Sequence, residues 1–307
     1  MISLIKFRKY ELKTDFLKIR DFLIRNYSTS YPLVWTFERW NYAYFFVRKM
    51  FEISEAKWSE RVGIWENEDG EIISVVNDEG ESKGEVFFQI NKEYLDKLLF
   101  DEMFNFAEEK LALWDDGKKS VNLRILENCG KVESEARKRG YTINREKYET
   151  TTFLQLSQKL QIPKLPPGFY LSSMDIQNNL DKRAEVFAKA FGNFGTPDEV
   201  CGNLYKELQK SPDYKKELDV FVVSPEEEFV AFCLIWYDSY NNIGILEPVG
   251  TNPDFRKQGL GKTAVFEAIK RVQKLGAKKI IVGDGQKFYL SLGFSLSHKH
   301  MIWTRQW

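Results

Sequence analysis

The chain has 307 residues, about twice the usual size of a single domain, so two domains are expected rather than one. Forty-five Lys and Arg balance 45 Asp and Glu, and a net charge of zero disfavours both nucleic acid and an anionic membrane surface as partners. A 43% hydrophobic fraction with 24 Phe, 14 Tyr and 8 Trp excludes disorder over most of the chain.

No run approaches the roughly 18 apolar residues of a membrane span, and the opening MISLIKFRKYELKTDF is charged too early for a secretory signal. The three cysteines, Cys129, Cys201 and Cys233, lack any paired spacing. That excludes a disulfide framework and suits a reducing compartment, so a cytoplasmic protein is expected. The only histidines, His298 and His300, alternate in a strand-like tail and share one face, which is expected to be solvated rather than metal-binding.

In chain order, the aromatic run at 31–46 (YPLVWTFERWNYAYFF) predicts a core helix, with a pocket for an apolar or cationic acceptor as the other reading. Residues 84–90 (GEVFFQI) predict a strand, and Leu95, Leu98, Leu99, Met103 and Phe106 predict a long helix over 94–111. Three prolines in SQKLQIPKLPPG cannot continue a helix or central strand, so residues 158–168 are assigned as a linker between domains at 1–157 and 169–307. Beyond it, 170–174 predicts a strand and 176–191 a helix, and Thr196-Pro197 marks the start of a second helix. Strands follow at 220–223, 229–237 and 243–251, the second and third separated by Tyr240-Asn241-Asn242. A helix over 259–275 carries Val265, Ala268, Ile269 and Val272 on one stripe, and a strand is expected at 279–282. Both halves run through the same order of elements, which suggests a tandem duplication of a mixed α/β (α+β) unit, a sheet flanked by helices.

The most informative stretch is LEPVGTNPDFRKQGLGKTAV at 246–265, where a strand ends, Asn252-Pro253 breaks it, and Arg256-Lys257-Gln258-Gly259-Leu260-Gly261 leads into the helix. Its glycines admit a close ligand, and the first-turn N–H groups and positive dipole end favour a pyrophosphate, with charge added by Arg256, Lys257 and Lys262. The order fits neither the P-loop G-x-x-x-x-G-K-S/T nor the dinucleotide G-x-G-x-x-G.

This loop resembles the pyrophosphate loop of the GNAT acetyltransferase superfamily, Q/R-x-x-G-x-G/A, complete here from Arg256 to Gly261. A second segment, Phe288-Tyr289-Leu290-Ser291-Leu292-Gly293-Phe294, is similar to the family's F-Y-x-x-L-G-F. The resemblance implies two GNAT-like domains, each with a mixed, mostly antiparallel sheet. It also implies an acetyl-CoA site without metal: backbone of Val249, Gly250 and Thr251 meets the pantetheine, and Arg256, Lys257, Gln258, Gly259, Leu260, Gly261 and Lys262 hold the pyrophosphate. Tyr289 falls on the tyrosine that in this family protonates the leaving thiolate. Glu247, on the same strand just before the cofactor edge, is the candidate general base for an attacking ammonium.

In the first half the junction after the strand reads Asn91-Lys92-Glu93-Tyr94, without the glycines, and Ala136 stands where Tyr289 does. A degraded copy without acetyl-CoA binding is expected there. The function expected is N-acetyl transfer to a primary amine, with a small molecule as the default acceptor. A non-catalytic acetyl-CoA-binding or partner-binding module and a transferase of longer acyl groups, which would need a wide pocket at Phe232 and Leu234, are the alternatives. The chain is expected to be a monomer or a homodimer.

Overall fold

The computed structural model describes residues 5–28, 31–96, 98–156, 162–283 and 285–307. Two compact units divide it: Met1–Thr150 with His298–Trp307, and Thr151–Ser297.

The first unit runs β1 (Lys6–Lys9), α1 (Leu12–Arg25), α2 (Phe37–Tyr42), a π turn (Ala43–Val47), α3 (Arg48–Met50) and α4 (Glu55–Ser59). It continues with β2 (Val62–Glu66), β3 (Ile72–Asn77), β4 (Glu85–Ile90), α5 (Phe100–Phe106), β5 (Leu113–Asp115), β6 (Lys118–Leu126), α6 (Gly130–Lys138) and most of β7 (Thr142–Gln155). Its sheet order is β1-β2-β3-β4-β6-β13-β7, where β13 is Ser295–Gln306 and β5 pairs with β6. The pairings of β1 through β4 are antiparallel, and β4 runs parallel to β6. The aromatic run forms core, as expected, although its helix begins only at Phe37: Trp35, Phe37, Trp40 and Phe46 are all buried, and Trp40 lies against Trp58 and Phe16. Burying side chains of this size stabilises the unit by roughly 1.5–3 kcal/mol each.

The second unit runs β8 (Tyr170–Ser173), α7 (Leu180–Phe191), α8 (Gly202–Leu208), β9 (Asp219–Val223), β10 (Phe229–Asp238), β11 (Ile243–Thr251), α9 (Leu260–Lys274), β12 (Lys279–Val282) and α10 (Lys287–Ser291). The end of β7 joins β12, and the order continues β11-β10-β9-β8. Side-chain alternation assigns the two faces. Val222, Ala231, Cys233 and Ile235 pack with Ala264, Ala268 and Val272 of α9. Asp219 and Phe232 meet Arg183 and Phe187 of α7.

Several expectations shift. The last ten residues, assigned by sequence to the second domain, belong to the first unit: β13 pairs with β6 from His300↔Leu126 to Gln306↔Ser120, and Met301 and Trp303 bury in that unit's core. The boundary falls at 150/151, upstream of the proline-rich stretch, of which 157–161 lie outside the described residues. The helix expected from 176 starts at Leu180, where Asn179 caps it by accepting from the Lys182 N–H. Thr196-Pro197 makes a turn instead of a helix start, and α8 begins six residues later. The helix expected over 94–111 begins at Phe100, because the Asn91 side chain accepts from the Glu93 N–H and closes a 3-10 turn at Lys92–Tyr94.

The histidine pair also departs from a solvated face. His300 is buried, with its ring 5.2 Å from that of His298. Burial pushes His298 down to about 4 and His300 down to about 3; for His300 the neighbouring His298 and Arg39 add to this and Glu149 opposes it. Both rings are neutral when folded and protonate near the ordinary value when unfolded. The stability they contribute is therefore complete above about pH 6.5 and is lost as pH falls toward about 4 for His298 and about 3 for His300. In His300→Asn the urea midpoint is expected to fall less steeply between pH 7 and pH 5 than in the wild-type chain; equal slopes would contradict a buried neutral His300. Among the described residues no cluster of three or more His, Cys, Asp or Glu is placed to hold a metal ion, and no helix is long and apolar enough to cross a membrane.

Candidate active site

β11 is the pivot of the second unit. It pairs in parallel with β12 only at Ile243↔Lys279, Gly244↔Ile280 and Ile245↔Ile281, and then runs on to Thr251. Its far half therefore has a strand on one side only among the described residues, since β10 stays paired to Ala231↔Thr251. Directions follow from the ladder. The Asn252 N–H donates to the Val230 carbonyl, so the Gly250 N–H also turns toward β10, and those of Val249 and Thr251 lie on the open edge. The register jumps from Cys233↔Val249 to Ile235↔Leu246, which leaves Glu247 and Pro248 opposite Leu234 alone, a bulge. The Glu247–Pro248 peptide is cis.

After β11, Asn252 caps a 3-10 turn (Pro253–Phe255), and the chain swings through Arg256 to Gly259 into α9. Lys257 and Gly259 both have positive φ, +63° and +80°. Gly259 is the N-cap and supplies no side-chain cap. The first amide of α9 to bond inside the helix is that of Thr263, to the Gly259 carbonyl, so the N–H groups of Leu260, Gly261 and Lys262 point out of its N-terminus. A Cβ built on Gly259 meets no atom within 4 Å, which means that the space before these donors is open. This is the donor geometry that an anion such as a pyrophosphate needs.

Close packing joins the three segments singled out by sequence. A Cβ on Gly261 would lie 2.6 Å from Thr251 Oγ1 and 3.9 Å from Phe288 Cζ, so the start of α9, the end of β11 and α10 converge there. Tyr289 follows on α10, buried against Phe288 and Phe294. Glu247 is exposed on β11, and Lys257 and Gln258 are exposed in the loop. Arg256 has a bracing role that its sequence position did not announce: Nε donates to the Thr251 carbonyl and Nη2 to the Ala190 carbonyl, tying the end of β11 to the end of α7. The Lys262 ammonium lies 5.4 Å from the Phe266 ring centroid.

Of the side chains behind β11, sequence reasoning singled out Phe232 and passed over Trp236, Arg183, Asp219, Tyr205 and Tyr214. Trp236 donates its indole N–H to the Glu247 carbonyl at 2.8 Å. Arg183 and Asp219, both fully buried, pair at 2.9 Å, with Tyr205 accepting from Arg183 and Tyr214 donating to Asp219. The Phe232 ring packs onto Gly250, where an added Cβ would come within 2.5 Å of it.

The first unit repeats the strand divergence with a different junction after it. β4 pairs in parallel with β6 only at Glu85↔Asn122, Val86↔Leu123 and Phe87↔Arg124, and then continues to Ile90. The space beside this edge is lined by Tyr31, Pro32 and Leu33 together with Phe88, Ile90 and Leu126, and only about 20 Å³ remains open. That is room for about one water molecule. The Tyr31 hydroxyl lies 3.7 Å from the Cys129 sulfur. At the junction a capped 3-10 turn replaces the glycine loop, and the residue at 136 is a buried alanine.

Residues 190–294 match the family model described as Acetyltransferase (GNAT) family. The second unit carries a GNAT acetyltransferase domain. A GCN5-related N-acetyltransferase from Sphaerobacter thermophilus is similar over 98% of this chain and 95% of its own, at 14% identity and a TM-score of 0.62. A tandem GNAT protein from the clavulanic acid biosynthesis pathway is similar over 99% and 98%, at 8% identity and a TM-score of 0.61. Saccharomyces cerevisiae N-myristoyltransferase, solved with bound myristoyl-CoA, is similar over 99% and 79%, at 12% identity and a TM-score of 0.52. No curated protein sequence matches. These likenesses span both units, so the whole chain has a tandem GNAT fold, and its family domain makes it an acyltransferase.

Proposed function

We propose that the second unit transfers the acetyl group of acetyl-CoA to a primary amine of a small molecule, by direct attack with both substrates bound. The carrying observation is the open edge of β11, with the Val249 and Thr251 N–H groups on it, ending beside the uncapped N-terminus of α9. Pantetheine amides pair with that edge, and the pyrophosphate is received by the N–H groups of 260–262, with Lys257 and Lys262 contributing charge. An edge N–H polarises the thioester carbonyl as charge develops on its oxygen.

In this reading Glu247 takes a proton from the ammonium, the amine nitrogen attacks the carbonyl carbon, and the C–S bond breaks. Tyr289 supplies the proton that the departing thiolate gains, and recovers one from the nitrogen of the new amide. Holding the two reactants together supplies much of the acceleration. Complete burial of Phe232 and Leu234, with the Phe232 ring on Gly250, favours acetyl over a longer acyl group, which needs space at that point. The balanced net charge favours a small acceptor over a histone-like tail or nucleic acid.

The test is thiol release from acetyl-CoA against a panel of primary amines. Tyr289→Phe is expected to lower turnover about a hundred-fold while acetyl-CoA affinity stays within about two-fold, the pattern of a lost proton donor. An unchanged rate would remove Tyr289 from the chemistry.

A further inference from the structure

The donor edge of β11 owes its direction to the bulge at Glu247 and Pro248. Pro248 has no N–H, and the Glu247 carbonyl sits where the β10 ladder skips from Cys233 to Ile235. The Trp236 indole supplies what the ladder does not, a donor 2.8 Å from the Glu247 carbonyl oxygen. Trp236 is 1% exposed, so no water competes for that carbonyl from its side.

The indole is itself held. The Tyr214 ring meets Trp236 edge-on at 6.1 Å, and the Tyr214 hydroxyl donates to Asp219 at 2.6 Å. The second oxygen of Asp219 accepts from Arg183 at 2.9 Å, deep beneath α7. A buried ion pair, a tyrosine and a tryptophan thus form one chain of contacts ending on the backbone two residues before Val249.

We propose that Trp236 is a positioning residue for acyl transfer: its N–H fixes the Glu247 carbonyl, and with it the Val249 N–H that receives the acetyl carbonyl, while Tyr214 and Asp219 hold the indole. This rests on the acetyl-CoA reading given above. Losing the indole donor removes a buried hydrogen bond from the Glu247 carbonyl, and the bulge is no longer fixed in the same place. The loop at 256–262 lies past the bulge and has a hold of its own, the Arg256 bonds to the Thr251 and Ala190 carbonyls. The acetyl end of the ligand therefore loses its contact while the pyrophosphate end keeps its own.

The experiment is calorimetric titration of the intact chain with acetyl-CoA and, separately, with CoA, in the wild-type protein, Trp236→Phe and Tyr214→Phe. The wild-type chain is expected to prefer acetyl-CoA about five-fold, the worth of one net hydrogen bond. In Trp236→Phe the preference disappears while CoA affinity stays within about two-fold, and Tyr214→Phe moves the same way by a smaller factor. A general loss of structure lowers both affinities together, so the ratio separates positioning from stability, and Tyr214→Phe decides the matter if Trp236→Phe does not fold. A preference that survives both substitutions, or none in the wild-type chain, overturns this inference alone. No binding of either ligand by the wild-type chain overturns the acetyl-CoA reading and this inference with it.

Discussion

Gly259→Val is expected to weaken acetyl-CoA binding about a hundred-fold, whereas Lys92→Val, at the corresponding junction of the first unit, changes it less than about two-fold. Two costs add at Gly259. Its φ of +80° lies in the left-handed region, which a β-branched residue tolerates poorly, so the loop must turn away from the position that presents the N–H groups of 260–262. The new side chain also enters the open space before those donors, where a Cβ meets no protein atom. Losing one or two charge-assisted hydrogen bonds at about 1.5–3 kcal/mol each gives the expected factor. A melting temperature recorded beside each titration separates this from unfolding. Equal losses in the two variants would contradict a single cofactor loop in the second unit.

Arg183→Met is expected to cost the second unit about 3–5 kcal/mol in urea denaturation. Arg183 and Asp219 are both fully buried, and removing the guanidinium leaves a buried carboxylate with the Tyr214 hydroxyl as its donor among the described residues. The attraction between the partners mainly offsets their own desolvation, so the double change Arg183→Met with Asp219→Leu is expected to recover most of the loss. A single-variant cost under about 1 kcal/mol would mean that the pair is dispensable. The pair also anchors Tyr214 behind Trp236, so the stability of α7 and the shape of the β11 edge are linked through the same carboxylate.

The parts of the site legible in the sequence are those whose physics is local. β11 at Ile243–Thr251 and β12 at Lys279–Val282 match their expected bounds, because turn residues bracket apolar runs of strand length. The helix after Gly259 was legible from its stripe and its glycine start. Thr196-Pro197 serves a turn as well as a helix start, so it misled. The helix period over 94–111 was right for its second part, but the Asn91 side chain closed a competing turn at its beginning. What stayed hidden is tertiary. Nothing near Trp303 says that its strand buries in the first unit, and nothing near Tyr31 says that it lines the gap beside β4. A tryptophan in an apolar strand carries no local mark of a carbonyl partner 11 residues away, so Trp236 passed as one more residue of the strand at 229–237. The degraded copy was read from a missing glycine loop; the narrow space beside the diverging strands of the first unit is a tertiary feature that no local pattern carries.

Calorimetric titration of the intact chain with acetyl-CoA, recording stoichiometry as well as affinity, tests most directly whether one working site resides in the second unit. One site per chain, abolished or strongly weakened in Gly259→Val, is the expected result. Two sites per chain, or no binding at all, would contradict it.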